Sequence, residues 1–191
     1  MYQPQTRNFN QHPTLRAVVC CWIFFIIFNV TLTLGLGADV EVYFSPNGGA
    51  TNAIVDEIDR AQREILIQAY TFTSVPIASA LVSAKRRGIT VEAILDKSNI
   101  KQGYSSITFL ENAGIPVYID DRVKIAHSKI MIIDGREIIT GSFNFTMAAE
   151  GHNAENLLIL RNDPALVIKY MANYRWRLSL SYQANHLLKG E

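Results

Sequence analysis

The sequence predicts a mixed α/β layer structure, and three observations carry the prediction. Short runs rich in Val, Ile, Tyr and Phe alternate with stretches whose apolar residues recur at helical spacing. That alternation is then interrupted by two apolar runs on either side of Asp134-Gly135, a strong hairpin signal. A length of 191 residues with 49% hydrophobic content suits one globular domain plus a short additional segment. Strands alternating with helices and then folding back in a hairpin argue for a sheet layered against helices.

The additional segment is N-terminal. Residues 1–16 are polar and carry Arg7, His12 and Arg16, and residues 17–28 are continuously apolar. That run fits the core of a signal peptide and falls short of the ~20 residues of a membrane span. Small residues around Gly35, Gly37 and Ala38 place the expected cleavage after Gly37, leaving a domain over 38–191 and residues 1–37 as the signal. The rival reading takes residues 17–36 as one uncleaved membrane anchor. Either way the domain is expected outside the cytoplasm, periplasmic or secreted. The only cysteines, Cys20 and Cys21, lie in the apolar run, so residues 38–191 contain no disulfide and no cysteine-based zinc site.

Charge excludes a global electrostatic attraction to nucleic acid. Arg7 and Arg16 are two of the 18 basic residues, which leaves 16 against all 17 acidic ones, a net −1 for residues 38–191. Any phosphate affinity must therefore come from a local patch.

In chain order, residues 40–44 read as a strand ended by Ser45-Pro46-Asn47-Gly48-Gly49. The double glycine suggests a phosphate loop, but no Gly-Lys-Ser/Thr follows, and a strand-to-helix turn is the better reading. Thr51 is the expected cap of a helix carrying Ile54, Val55, Ile58 and Ala61. Residues 64–72 read as a buried strand and 77–87 as a helix. Its Lys85-Arg86-Arg87 triplet is read as complementing the helix C-terminus, with Gly88 as the stop and a nucleic-acid patch as the minority reading. A strand over 90–95 ends at Asp96. Residues 96–104 are read as a polar loop, where Lys97, Lys101 and Tyr104 are candidates to border a substrate groove. A helix over 106–113 and a strand over 116–119 lead into the hairpin. After a strand over 156–160, Asp163 caps a final helix with Pro164 in its first turn. Leu166, Val167, Tyr170, Met171, Tyr174 and Leu178 share one side of that helix, as core or as dimer interface.

The hairpin region holds the chemistry. Side chains alternate on a strand, so His127 and Lys129 point the same way, with Met131 behind them. A two-residue turn pairs Ile133 with Arg136, sets His127 opposite Ser142 and puts Asn144 on the same face. A bulged turn shifts this register by one. The resulting set suits a phosphoryl group: Lys129 is a point charge, Ser142 and Asn144 are neutral donors, and His127 attacks or protonates near neutral pH. Asp134, at the turn, is read as structural, accepting from nearby backbone amides.

The pattern His127-x-Lys129-x4-Asp134, followed by Gly141-Ser142-x-Asn144, resembles the signature of the phospholipase D superfamily, and in particular its small Nuc-type bacterial endonucleases with a single motif. The first half of the pattern alone is expected in roughly one chain in a hundred of this length. The second half, together with Glu155 in Asn153-Ala154-Glu155-Asn156, makes the resemblance specific. It extends over residues 39–191, although only 127–156 is diagnostic. It implies a mixed sheet with helices on both faces, and a homodimer in which two single motifs share one pocket. Under that implication His127 of one subunit attacks phosphorus to give a phosphohistidine, and the other His127 donates to the leaving oxygen. Glu155 orients the imidazole, Lys129, Ser142 and Asn144 bind phosphate, and Gly141 and Asp134 are structural. No cofactor and no metal are required, and the expected substrate is DNA, and possibly RNA.

Rival readings use the same residues or fewer. A lipid phosphodiesterase acting on a cardiolipin-like substrate shares the catalytic set and gains weight if the N-terminal segment is an anchor. A metal nuclease built on Asp96, Asp120, Asp121 or Asp134 lacks recognisable ligand spacing. A non-catalytic nucleic-acid or membrane-binding module has no need of the histidine chemistry. His152 is read as loop surface, and His12 and His186 carry no argument.

Overall fold

The computed structural model describes residues 37–101 and 106–184. The segment 1–36, and with it the expected signal or anchor, lies outside the described residues, as do Tyr104 and His186. Eight strands are described: β1 Asp39–Phe44, β2 Glu64–Ala69, β3 Thr90–Asp96, β4 Val117–Asp120, β5 Lys129–Ile133, β6 Glu137–Gly141, β7 Asn156–Arg161 and β8 Tyr182–Gln183. They form one sheet in the order β1-β7-β6-β5-β2-β3-β4-β8. Five helices accompany it: α1 Ala50–Arg60, α2 Val75–Arg86, α3 Ser106–Asn112, α4 Met147–Gly151 and α5 Pro164–Leu180.

The sheet is mixed, as the sequence predicts. Strands β2, β3 and β4 run parallel, joined through α2 and α3, because parallel neighbours need a crossover. All other neighbouring pairs are antiparallel. The period-2 pattern of β2 divides the core. Ile65, Ile67 and Ala69 pack with Ile54 and Ile58 of α1 and with Ile77 and Leu81 of α2. Leu66 lies on the opposite face, in a smaller cluster with Ile94, Ile132 and Tyr174 of α5. Burying each such Ile or Leu contributes about 1.5–3 kcal/mol, so each layer is held to the sheet mainly by its apolar stripe. On α5, Tyr170, Met171 and Leu178 join Tyr174 in that cluster, which makes this side of the helix core. The cap of α5 is as predicted, with the Asp163 carboxylate accepting from the Leu166 amide at 2.9 Å.

Several local expectations are corrected. The cap of α1 is Gly49, in the left-handed region at φ 84°, and Thr51 lies inside the helix. The exposed amides at this N-terminus are taken up from far along the chain. Glu150 accepts from Gly49 at 3.0 Å and from Thr51 at 2.7 Å, so an internal carboxylate stands where a phosphate loop would hold its ligand. Residues 97–101 form a short 3-10 helix rather than an open loop. The strand read over 64–72 stops at Ala69. Arg87 donates to the Ile58 carbonyl at 2.8 Å, so the basic triplet ties α2 to α1 through this side chain.

The hairpin turn also differs. Ile133 pairs with Glu137, not Arg136, and Met131 pairs with Ile139, so Asp134, Gly135 and Arg136 form a three-residue connection. Asp134 and Gly135 both adopt positive φ, 55° and 62°. Asp134 is 3% exposed and turns back into the protein. Its carboxylate accepts from the amides of Gln62 (3.0 Å), Arg63 (2.7 Å) and Glu64 (3.1 Å), where the chain enters β2. Burial pushes this carboxyl up, but the three amides and the Arg136 charge outweigh burial and hold it below its usual range.

Candidate active site

The site lies where β5 and β2 end side by side. Lys129, the first residue of β5, pairs with Ala69, the last of β2, and the Tyr70 amide continues the ladder by donating to the Ser128 carbonyl at 2.9 Å. His127 sits just before the strand with its side chain exposed. Its ring rests against Tyr70, with centroids 4.5 Å apart and planes tilted by 51°. Lys129 is 6% exposed, and its ammonium donates to the His127 carbonyl at 2.7 Å and lies 5.1 Å from the centre of the Tyr70 ring. Tyr70 therefore touches both members of the His-x-Lys pair. Burial pushes the Lys129 ammonium down, and the Glu155 carboxylate pulls it part of the way back.

Two buried groups at the end of β3 fasten this corner. The Asp96 carboxylate accepts from Ala126, next to His127, at 2.7 Å and from Ser98 at 2.8 Å. Burial raises this carboxyl, while those hydrogen bonds and Lys97 hold it below its usual range. The Asn99 carboxamide donates to the Tyr70 carbonyl at 2.7 Å and accepts from Phe72 at 3.3 Å, fixing the chain as it leaves β2. Lys97, a candidate groove residue, donates to the Val123 carbonyl at 3.0 Å.

At and just beyond the end of β6, Gly141, Ser142 and Asn144 lie next to the start of β7. The Asn156 carbonyl accepts from the Ser142 and Phe143 amides at 3.0 and 3.1 Å, and the Ser142 hydroxyl accepts from the Asn156 amide at 3.0 Å. The hydroxyl proton of Ser142 remains available to an incoming oxygen. Gly141 adopts φ 148°, and a Cβ there would lie 2.2 Å from the Asn156 carbonyl oxygen, so only glycine lets β6 approach this closely. The Asn144 carboxamide oxygen is buried without a hydrogen-bond partner. Ser45, at the end of β1, clamps the Glu155 backbone through its amide and hydroxyl, each at 3.1 Å.

The structure thus gathers His127, Lys129 and Tyr70 by direct contact and brings Glu155 within electrostatic reach of Lys129. One expected contact is not made in the single chain. Among the described residues no hydrogen bond joins the His127 ring to Glu155, whose carboxylate instead accepts from the Asn153 side chain at 3.2 Å. His152 is exposed at the end of α4. Of the acidic residues of the metal reading, Asp96 and Asp120 are cross-strand neighbours on β3 and β4, whereas Asp134 lies at the β5–β6 turn. Asp96 and Asp134 accept from backbone amides as described, and Asp120 accepts from Arg177 Nε at 2.6 Å.

A family model for the cardiolipin synthase, phospholipase D-like domain matches residues 54–178, most of the described fold. The chain belongs to the phospholipase D superfamily. It is 44% identical over 139 residues to phospholipase D of Rickettsia felis, which covers 73% of this chain and 69% of that one. It is 32% identical over 146 residues to the mitochondrial cardiolipin hydrolase of Drosophila melanogaster, covering 65% of this chain but only 57% of that longer protein. Among solved structures it resembles the phospholipase D family member Nuc from Salmonella typhimurium, with a TM-score of 0.73 and 36% identity over 77% of this chain and 98% of Nuc. As a superfamily member the chain is a phosphodiesterase.

Tyr70, Asp96, Asn99 and Ser45 are site residues that motif reading misses. The one signal for the first was present: a phenol inside a strand otherwise read as buried.

Proposed function

We propose that this phosphodiesterase is a nucleic-acid endonuclease of little sequence preference, working without a metal through a phosphohistidine in a pocket shared by two copies of the chain. The observation that carries the reading is the setting of His127: its exposed imidazole is held against Tyr70 beside a buried lysine, with no second acid or base hydrogen-bonded to it among the described residues. Cleavage needs both a nucleophile and an acid, and a second copy supplies the missing group.

In the proposed sequence, neutral His127 attacks phosphorus and the bond to the leaving oxygen breaks. Protonated His127 of the partner subunit gives its proton to that oxygen. Water then attacks the phosphohistidine, the same partner histidine takes a proton from the water, and the P–N bond breaks to release a phosphate monoester. Lys129, Ser142 and the Asn144 carboxamide stabilise the charge on the non-bridging oxygens. Glu155 lowers the cost of placing positive charge at this corner and, in the assembled pocket, orients the imidazole. The coverage of 98% of Nuc, against 57% of the mitochondrial cardiolipin hydrolase, supports a compact nuclease, while the Rickettsia phospholipase D, 44% identical, supports the lipid reading.

A lipid substrate is the second reading. Val123 and Ile125, which line a pocket with His127, are 37% and 48% exposed and offer an apolar surface beside the site. The full chain incubated with supercoiled plasmid in excess EDTA, beside a parallel assay on cardiolipin vesicles, separates the two. Nicking of the plasmid is the expected result. Hydrolysis of cardiolipin with the plasmid left intact, with or without Mg²⁺, overturns the nuclease reading.

A further inference from the structure

Next to His127 a pocket of about 180 Å³ opens at the ends of β2, β3 and β4. Its floor holds Gln68, which pairs with Ile94 and Ile130 across the sheet and so shares the face covered by α5. Gln68 is 5% exposed, and its carboxamide oxygen is buried with no hydrogen-bond partner. Buried polar atoms in native proteins are nearly always satisfied, and leaving one unpaired costs about 1–3 kcal/mol. A glutamine retained there, in a strand whose other inward positions are Ile, Leu and Ala, is an acceptor waiting for a donor from outside the chain.

The rest of the lining narrows the chemistry of that donor. Ile94 and Ile125 supply apolar walls. Arg177 lines the pocket but is bound to Asp120, so this corner presents a neutralised pair with both donor and acceptor edges rather than a free cation. An anion finds no net charge here, which sets this pocket apart from the phosphate-binding Lys129 corner. No Phe, Tyr or Trp side chain lines the pocket, so it lacks the cage that a quaternary ammonium headgroup requires. The space equals that of about six liquid waters, enough for one ring-sized group. A flat group with apolar faces, a polar edge and an N–H for Gln68 fits all three features, and a nucleobase is that group.

We propose that this pocket receives the base of the nucleotide flanking the scissile phosphate, with Gln68 accepting a hydrogen bond from its edge. Gln68 is then a positioning and specificity residue rather than a catalytic one, and the inference rests on the nucleic-acid reading of the site. An N–H donor occurs on every base, so such a contact orients the strand while leaving sequence preference weak.

The test compares the full chain and its Gln68→Met variant on single-stranded oligonucleotides carrying a base or an abasic nucleotide beside one defined phosphodiester. Methionine keeps the length and apolar fit of the side chain and removes the acceptor. Wild-type protein is expected to cut the base-bearing link about tenfold faster than the abasic link, the effect of one hydrogen bond. In the variant that ratio is expected to fall to under about threefold. A Gln68 that merely holds the fold would slow both links equally and leave the ratio intact, which overturns the proposal. A wild-type protein indifferent to the missing base overturns it without recourse to any variant. Failure of wild type to cut any oligonucleotide refutes the nuclease reading itself, a result distinct from either of these.

Discussion

Replacing His127 with alanine is expected to lower the rate of phosphodiester cleavage by on the order of 10⁴-fold or more while leaving the fold almost unchanged. In a pocket shared by two copies the substitution removes the nucleophile and the leaving-group acid together, so no partial mechanism survives. The stability side of the prediction follows from the geometry. The His127 side chain is exposed, and the one hydrogen bond that reaches into the protein at this residue uses its backbone carbonyl, which alanine retains. Only the contact with Tyr70 is lost, and surface changes of that kind shift stability by about 0.5 kcal/mol or less. Single-turnover kinetics on an oligonucleotide, together with urea denaturation of both proteins, checks both halves. Equal cleavage by the variant, dependent on Mg²⁺, would mean that the histidine is not the reacting group.

Asp134→Ala is expected to act in the opposite sense, costing about 3–5 kcal/mol of stability and affecting cleavage only through loss of folded protein. The carboxylate accepts from three consecutive amides at the entrance to β2, and its removal leaves those part-buried donors without this acceptor. The same interaction has a pH signature. Because the folded-state pKa of Asp134 is lowered, its contribution is fully present above the unfolded-state value near 3.8 and is lost as pH falls through the lower folded value. The gap in urea midpoint between wild type and Asp134→Asn should therefore be constant at neutral pH and narrow below about pH 4. A gap that stays constant down to pH 2 would show that the charge of Asp134 plays no part.

Asp134 also shows where sequence reasoning reaches and where it stops. Its structural character and its bonding to backbone amides follow from its place in an Asp-Gly turn. Its partners are Gln62, Arg63 and Glu64, some seventy residues earlier, and no local pattern names them. Reaching those amides requires Asp134 itself to take a positive φ, which lengthens the turn by one residue and moves the hairpin register away from the two-residue count. The element order was legible because each strand and helix carries its own apolar period. The last helix could be read to its cap because Asp163 and Leu166 are local to one another. The start of α1 was misassigned for the complementary reason, since its acceptor is Glu150, 101 residues away in the sequence. The short strand β8 has no periodicity to detect and exists because β4 offers it an edge.

The candidate site divides along the same line. His127, Lys129, Ser142 and Asn144 are visible because they form one sequence motif, although the observed hairpin register, with Ile130 against Thr140, does not set His127 opposite Ser142 as the two-residue count expects. The groups that hold them are recruited through space: Asp96 from β3 onto the Ala126 amide, Asn99 onto Tyr70, and Ser45 onto Glu155. Each is a small polar residue at or just beyond the end of a strand, indistinguishable in sequence from an ordinary turn residue. Chemistry was therefore readable from the motif, whereas its positioning became readable only with the fold.

The central claim is that His127 forms the covalent intermediate in a pocket two chains share. The most direct measurement is rapid alkaline quenching of the full chain with an oligonucleotide substrate in excess EDTA, followed by peptide mass spectrometry and stoichiometry. The account predicts a phosphoryl-nucleotide adduct on His127, at a maximum of one adduct for every two chains. An adduct on another residue, a catalytically competent reaction with none, or a full adduct on every chain would contradict it.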